Sequence, residues 1–209
     1  LLPNHRLLTM ISKLKTAPTV EPVSLIEAKL NIRLAVTSDD ALAYSYEDDL
    51  LTRLITAARE YVEHYTDKCL ITQVWELYLD SWPDSNVIKL PKSPLQSVTT
   101  IDYTDSDGNT TNFTDFYTDT ASEIGRIILN DTASWPSATL REVNGIKITY
   151  SVGFGATSSS VPSAAKTAMH LIIGGMYHNR EHVVIGVTSG VLQLGVNSML
   201  DTLRLYDGA

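Results

Sequence analysis

The sequence has a single cysteine, Cys69, and this scarcity excludes a disulfide framework within the chain. One cysteine fits a reducing compartment, and we expect Cys69 to be a small buried side chain where a helix meets a strand. Long apolar runs are also missing, since no stretch approaches the roughly 18 residues that a membrane-spanning helix needs. We therefore predict no membrane span and no secretory signal. The longest apolar stretch, MHLIIGGMY, is interpreted as a buried helix.

Basic residues are scarce relative to acidic ones, with 16 Lys and Arg against 24 Asp and Glu and a net charge of −8. A dedicated DNA-binding domain is not expected, because phosphate contacts require clustered Lys and Arg. The one basic cluster comprises His5, Arg6, Lys13 and Lys15. The acidity fits either a protein that must stay in solution or one that lines a passage for a polyanion, and composition does not choose between them.

The motifs of several common functional sites are incomplete in this sequence. Gly153 and Gly155 lack the third glycine of a dinucleotide-binding fingerprint. The serines at 158–160 are not surrounded by the G-x-S-x-G pattern of a hydrolase nucleophile. The acidic residues in the middle of the chain do not follow the spacing of a calcium-binding loop, so we interpret them as solvated turns. They are Asp102, Asp105, Asp107, Asp115 and Asp119.

The sharpest enzyme-like signal is an H-x-x-E-H pattern formed by His178, Glu181 and His182. In that pattern the two histidines bind zinc and the glutamate activates water. Here the segment falls at the end of a predicted helix and no third ligand is evident, so a polar helix end with histidines near the terminal carbonyls is favoured. We expect no catalytic, cofactor-binding or metal-binding residue. A zinc hydrolase that uses these three residues is the less favoured alternative.

The most informative stretch of the sequence is 47–79, where the hydrophobic period changes. Apolar residues with gaps of three and four predict a helix over residues 48–65, and Asp48 and Asp49 lie at the positive end of its dipole. From residue 71 the period drops to two, which predicts a strand over 71–79. The apolar stripe of the helix comprises Leu50, Leu51, Leu54, Ile55, Ala58, Tyr61, Val62 and Tyr65.

Before this stretch, the sequence predicts one capped helix and a less regular extension. Ser24 followed three residues later by Glu27 is a capping box, and it predicts a helix over 24–34. Residues 1–20 are predicted to be an N-terminal extension with a short helix. That helix is suggested by the spacing of Leu7, Leu8, Ile11 and Leu14.

The C-terminal part of the chain contains a second long apolar periodicity. It predicts a helix over 163–180, within which Gly174 and Gly175 indicate the close approach of another helix. The Gly- and Val-rich segment 183–196 is predicted to be a loop or an extended arm. Ser198 is then expected to cap a short final helix.

Short apolar runs separated by turn residues fill the middle of the chain and predict an antiparallel sheet module. Asp107 and Gly108 between two such runs predict a hairpin. The fold class is therefore predicted to be α+β, with a small α-helical core of three main helices plus a short C-terminal helix, and an inserted antiparallel β module. The predicted organisation is an N-terminal extension at 1–20, a helical core at 21–70 and 155–182, a β-rich insert at 71–154, and a C-terminal arm and short helix at 183–209.

Four segments in this order resemble a known family. They are EPVSLIEAK, AAREYVEHYTDKCLITQVWEL, LPKSPLQSVTTIDYTDSDG and VPSAAKTAMHLIIGGMYHNRE. The chain resembles the head–tail connector (adaptor) proteins of tailed bacteriophages, in the branch with a β-insert between the core helices. The resemblance extends from about residue 21 to residue 205. It implies a helical core in which 24–34, 48–65 and 163–180 pack together.

The resemblance also implies a structural, non-enzymatic role in viral assembly. Such proteins form a ring, commonly of twelve subunits, beneath the portal after DNA packaging. They close the filled head, extend the DNA channel and provide the docking surface for a stopper or tail. The implied partners are the portal protein, a stopper or tail-completion protein, and further copies of this chain. DNA would pass through the channel without sequence-specific binding, and no membrane is involved.

The implied location is the neck of the virion, after synthesis in the cytoplasm of the host bacterium. A different phage morphogenesis protein, such as a tail-completion protein, is an alternative. The candidate portal-docking residues lie near the C-terminus: Ser198, Met199, Leu200, Leu203, Leu205 and Tyr206. The candidate inter-subunit residues are Gly174, Gly175, Val183, Val184, Ile185 and Val187.

Overall fold

The computed structural model describes residues 10–179 and 190–205, in the latter range without the side chains of residues 190–194. The described residues form two compact units. The β unit comprises residues 10–17 and Thr72–Gly153, and the helical unit comprises Pro18–Ile71 and residues 154–179 and 190–205. The predicted α+β fold class is confirmed.

The helical unit is built around α3, the long helix that the hydrophobic period predicts. Its buried stripe of Leu51, Ile55, Ala58 and Val62 packs against the fourth helix of the chain, and full burial of a Leu or Ile side chain stabilises a fold by about 1.5–3 kcal/mol. The helix ends at Asp67, which adopts a left-handed conformation with φ 55°. The described helices of this unit are α1 (Leu25–Asn31), α2 (Ser38–Ala43), α3 (Asp48–Thr66), α4 (Ser163–His178) and α5 (Gly190–Asp201), with a short 3-10 turn at Ser158–Ser160.

The predicted capping box at the start of α1 is confirmed. The Ser24 hydroxyl accepts a hydrogen bond from the Glu27 amide at 3.2 Å, and the Glu27 carboxylate accepts one from the Ser24 amide at 2.7 Å. The helix ends at Asn31, earlier than predicted, because Arg33 turns the chain with φ 61°. The amides of Arg33 and Leu34 then bond back to carbonyl groups of the last helical turn.

The segment between α1 and α3 contains a helix that its polar composition conceals. Thr37 and Asp40 form a second capping box, in which the Thr37 hydroxyl accepts from the Asp40 amide at 3.2 Å. The Asp40 carboxylate in turn accepts from the Thr37 amide at 3.1 Å. These reciprocal bonds satisfy amide groups that a short helix otherwise leaves unbonded, and α2 follows.

The prediction of a loop or arm over 183–196 is wrong from residue 190 onwards, where α5 begins. Ser198 lies inside α5 and does not cap it. Val196 and Leu200, one helical turn apart, are both buried in the helical core. This tertiary burial outweighs the weak helix propensity of glycine and valine in the segment.

The described part of the β unit contains two antiparallel sheets. Its strands are β1 (Met10–Thr16), β2 (Gln73–Leu79), β3 (Val87–Lys89), β4 (Leu95–Thr104), β5 (Thr110–Asn112), β6 (Phe116–Asp119), β7 (Arg126–Leu129) and β8 (Ile146–Val152). Within the described residues, a five-stranded sheet has the order β1-β2-β8-β4-β5 and a three-stranded sheet has the order β3-β7-β6.

The register of the larger sheet explains its buried face. Leu77 pairs with Ile148 and Leu79 pairs with Ile146, and all four side chains are buried. The predicted hairpin joins β4 and β5. There Gly108 adopts φ 88°, a value that a glycine tolerates readily.

The short helix predicted within residues 1–20 is wrong for the described part, because residues 10–16 form β1. This strand pairs with β2, with Met10 opposite Leu79 and Leu14 opposite Trp75. The helical spacing of Ile11 and Leu14 is overridden because pairing with β2 satisfies the backbone hydrogen bonds along one side of the strand. The remaining leucines of that spacing, Leu7 and Leu8, lie outside the described residues.

Candidate docking surfaces

The connection between α1 and α3 is held from the inside by Lys29. Its side chain is 2% exposed, and Nζ donates to the carbonyl oxygens of Ala41, at 2.7 Å, and Tyr44. The same Nζ lies 2.6 Å from Oδ1 of Asp48 in the first turn of α3. A buried cation is stable only when it is paired and hydrogen-bonded, so these contacts fix the backbone of α2 against the rest of the unit.

The outer side of this connection carries large apolar side chains in solvent. Val36 is 90% exposed, Leu42 68% and Tyr46 91%. The exposed carboxylates of Asp39 and Asp49 lie in the same segment. We call these five residues the α2 patch. Several large apolar side chains exposed within one short segment indicate a candidate protein interaction site.

A second surface of this kind is the outer strand β1. Met10 is 46% exposed, Ile11 51% and Leu14 41%, and the lysines at 13 and 15 are also exposed. Among the described residues, β1 lies at one edge of its sheet. Lysines on an edge strand discourage non-specific pairing of sheet edges. We call Met10, Ile11, Lys13, Leu14 and Lys15 the β1 strip.

The residues predicted to dock the portal are divided by the structure. Leu200 is fully buried in the helical core and Leu203 packs against that core. Ser198 is exposed, Met199 is half-buried, and Leu205 is half-buried with its amide bonded to the helical unit. Tyr206 lies outside the described residues.

Hydrogen bonds between side chains also hold α5 on α3. The Tyr65 hydroxyl donates to Oδ1 of Asp201 at 2.7 Å, and the Tyr61 hydroxyl donates to Oδ1 of Asn197 at 3.3 Å. The carboxylate next to Tyr65 raises the pKa of its phenol, since the hydrogen bond is made by the protonated form. These contacts orient α5 with its apolar side on the core.

The two glycines predicted to lie between subunits, Gly174 and Gly175, are in α4. A Cβ atom added at Gly174 would lie 3.9 Å from the nearest described atom, Nδ2 of Asn31, which is an ordinary van der Waals distance. Packing among the described residues therefore does not require a glycine at that position. The other candidates lie outside the described residues: Val183, Val184, Ile185 and Val187.

The H-x-x-E-H segment begins at the last residue of α4. His178 is exposed there, and its ring lies edge-on to Tyr177 at 5.3 Å between centroids. Glu181 and His182 lie outside the described residues. Within residues 10–179 and 190–205, no group of three His, Cys, Asp or Glu side chains could hold a metal ion.

A small ionic group joins α1 to α4. Lys166 lies 3.3 Å from Oε1 of Glu27 and donates to the Ser158 hydroxyl at 3.0 Å. Partial burial raises the pKa of Glu27, but hydrogen bonds from Ser24 and Lys166 outweigh this effect and lower it. Burial lowers the pKa of nearby His170, against the opposing charge of Glu27. These groups tie two helices together and make no open site.

Asp119 in the β unit is a similar structural anchor. Its carboxylate accepts from the Ser122 hydroxyl and from Arg126, both at 2.6 Å. Hydrogen bonds from Ser122 and Arg126 hold the pKa of Asp119 well below its ordinary value. Asp119 is the last residue of β6 and Asp102 lies within β4, so the prediction of solvated turns is wrong for these two aspartates. It holds for Asp107, which lies in the turn between β4 and β5.

Comparison with known proteins identifies the family that the chain resembles. Residues 23–112 match the model of the phage gp6-like head-tail connector protein family. The predicted resemblance to head–tail connectors is confirmed, and the match extends from α1 into β5. No curated protein matches the chain. In the described part of this connector-like chain, no helix has the length and apolar character needed to cross a bilayer.

Solved structures share the fold over nearly the whole chain. A chain from the neck of an empty gene transfer agent (GTA) particle, computed with C6 symmetry, matches with a TM-score of 0.77 and 23% identity. The match covers 95% of this chain and 97% of that chain. A chain from the virion of a native gene transfer agent particle matches with a TM-score of 0.77 and 22% identity, covering 95% of this chain and 97% of that chain. A chain from the neck of a native GTA particle computed with C12 symmetry matches with a TM-score of 0.69 and 22% identity, covering 94% of this chain and 97% of that chain.

Proposed function

We propose that this protein is a structural subunit of a head–tail connector in the neck of a phage-like particle. The observation that carries the proposal is the connector-family match over residues 23–112. The fold of the whole chain supports it, because chains of the same fold are found in the necks of GTA particles. The proposed role is mechanical and includes no catalytic step and no bound cofactor.

The proposed assembly is a ring of twelve copies beneath the portal. Two neck structures of similar chains were computed with C6 and C12 symmetry, which supports a ring. The ring would close the filled head, extend the DNA channel and receive a stopper or tail-completion protein. A net charge of −8 suits a channel wall from which DNA must not be retained. The protein would be made in the host cytoplasm and reside in the virion.

For portal docking we propose the exposed side of α5. Leu200 faces the helical core, so the residues left to meet a partner are Ser198, Met199 and the segment from Leu205 to the C-terminus. For contact between subunits, the predicted set around Gly174 and Gly175 remains a proposal. The helical core at 21–70 and 155–182 and the β-rich insert at 71–154 are retained as the proposed domains.

The proposal is tested by mixing the purified chain with portal rings of the same particle and measuring the mass of the complex. We expect a complex that contains twelve copies per portal ring. Ser198→Arg should weaken it, because a long charged side chain is added on the proposed docking side. Ala57→Arg, at an exposed position of α3, is the matched control and should bind normally.

Two results would overturn this function. One is the absence of binding to portal rings together with binding to isolated tails, which would indicate a tail-completion protein. The other is a chain that binds neither and holds one zinc ion tightly, which would indicate a role for the H-x-x-E-H segment.

A further inference from the structure

We infer that neighbouring copies in the ring meet through two different surfaces, with the α2 patch of one copy lying against the β1 strip of the next. This inference rests on the proposed ring function and specifies the contact that builds the ring. A closed ring of more than two copies needs a head-to-tail contact, so each chain must carry two complementary surfaces. The described residues present two exposed surfaces of opposite charge that meet this requirement.

Charge distinguishes the two surfaces. The segment 35–49, which contains the α2 patch, has five acidic residues and no Lys or Arg. One of the five, Asp48, is paired with Lys29, whereas Asp39 and Asp49 are exposed. The segment 10–17, which contains the β1 strip, has two lysines and no acidic residue; of the two, Lys15 is paired with Glu76 on the neighbouring strand. Complementary charge favours the contact between unlike surfaces and disfavours contact between two like ones.

Apolar side chains supply the second match. Each segment carries three large apolar side chains that are more than two-fifths exposed: Val36, Leu42 and Tyr46 in one, and Met10, Ile11 and Leu14 in the other. Because side chains alternate along a strand, Ile11 shares a face of β1 with Lys13, and Met10 and Leu14 lie on the opposite face. Isolated exposed apolar residues are common on protein surfaces, and Tyr117 and Val143 are two examples in this chain. Three within one short segment exceed isolated exposure, and Ile11 beside Lys13 combines the apolar contact and the charge that interfaces use.

Both surfaces are rigid before they meet. The α2 patch is held by the buried side chain of Lys29, which bonds to two carbonyl groups of the segment. The β1 strip is held by pairing with β2 along its length, and Lys15 is anchored 3.0 Å from Glu76. Because little backbone freedom is lost on binding, a small contact of this kind can be specific.

Cysteine cross-linking tests the contact directly. The native Cys69 is 2% exposed, so cysteines introduced at the surface will react selectively. Ile11→Cys and Leu42→Cys are prepared as separate chains with different affinity tags, mixed with portal rings, and treated with a short bis-maleimide. We expect mixed dimers at least tenfold in excess of dimers between like chains. A chain that carries both substitutions should give a ladder of products that ends at the full ring.

The control replaces Ile11→Cys with Val143→Cys, which is 61% exposed and lies outside the β1 strip. We expect its yield of mixed dimers with Leu42→Cys to be at least tenfold lower. Equal yields from both pairs, or dimers formed mainly between like chains, would overturn the inferred contact. Rings that form without a link between positions 11 and 42 would overturn the contact and leave the connector function intact. The absence of any ring on portal rings would overturn both.

Charge reversal provides an independent measurement. Asp39→Lys with Asp49→Lys should prevent ring formation, and Lys13→Glu should weaken it. Both aspartates lie outside the capping pair of Thr37 and Asp40, so α2 should remain folded. Combining the three changes in one chain places one carboxylate of the β1 strip against the introduced lysines and should restore rings at least in part. Failure of the combined variant to assemble, although its circular dichroism is native, would contradict the contact.

Discussion

Lys29 in α1 and Asp48 in α3 form an ion pair of 2.6 Å between Nζ and Oδ1, although the Lys29 side chain is only 2% exposed. The same Nζ bonds to carbonyl groups of the intervening segment. One buried cation therefore sets both the packing of α1 on α3 and the shape of the α2 patch, so that stability and the proposed ring contact depend on the same residue.

Lys29→Met should lower the free energy of unfolding of the helical unit by about 3–5 kcal/mol, because it leaves the acceptors around Nζ without their donor. Chemical denaturation followed by circular dichroism measures this loss. Arg53→Met, at an exposed position of α3, is the control and should change the free energy by less than about 0.5 kcal/mol. A loss similar to that of the control would show that the buried pair contributes no net stability.

Gly125→Ala should destabilise the β unit. A Cβ atom at this position would lie 2.4 Å from Cβ of Leu95, which is itself buried in the sheet, so the backbone must shift. Such overpacking lowers the free energy of unfolding by about 1–3 kcal/mol. Thermal denaturation should therefore show an earlier transition for the β unit, and an unchanged transition would contradict the packing at this position.

Gly195→Ala should have the opposite effect. Gly195 lies inside α5, and a Cβ atom there would meet no described atom within 4 Å. Alanine is favoured over glycine in a helix by up to about 1 kcal/mol, so the free energy of unfolding should rise. A decrease in hydrogen-exchange protection of α5 in this variant would count against the helix that the structure assigns to the segment.

Arg33→Gly should stabilise the helical unit. Arg33 adopts φ 61° at the end of α1. This left-handed conformation costs a non-glycine residue about 1–2 kcal/mol of conformational free energy. Glycine removes that strain but loses more backbone entropy on folding, so a net gain of about 0.5–1 kcal/mol is expected. Arg33→Ala keeps the strain and serves as the control, which should show no gain in a denaturation measurement.

His170 should make stability depend on pH below its ordinary pKa of 6.5. Burial lowers its pKa in the folded state, and of the charged groups that face it, Glu27 opposes the shift and Lys166 adds to it. The unfolded chain therefore takes up the proton at a higher pH than the folded chain does. The contribution of neutral His170 to the free energy of unfolding is fully present above about pH 7. It is lost as the pH falls through the ordinary pKa towards the lower pKa of the folded state.

The measurement is the free energy of unfolding between about pH 7.5 and pH 5, in the wild type and in His170→Gln. The wild type should lose more stability on acidification than the variant does. Glu27 and Asp119 also carry lowered pKa values, but carboxylates of this kind lose their contribution below this range. Parallel curves for the two proteins would show that His170 is protonated equally in both states.

Several elements follow from the sequence because their causes are local. The period of α3 and the capping box of Ser24 and Glu27 act within a few residues, and so does the hairpin at Asp107 and Gly108. The α+β class follows from the same patterns. The resemblance to head–tail connectors likewise lies in four short segments of the sequence.

Only the tertiary structure determines which side chains form the exposed surfaces. The edge strand β1 exists because β2, far away in the chain, supplies its hydrogen-bond partners. Helix α5 faces inward because Val196 and Leu200 find a core to enter, so part of the segment predicted to bind the portal is buried. The α2 patch stands out because Lys29, twelve residues before Ala41, reaches the carbonyl oxygen of that residue. A period in the sequence marks which residues are apolar, but only packing against distant residues determines which of them are buried and which are left for a partner.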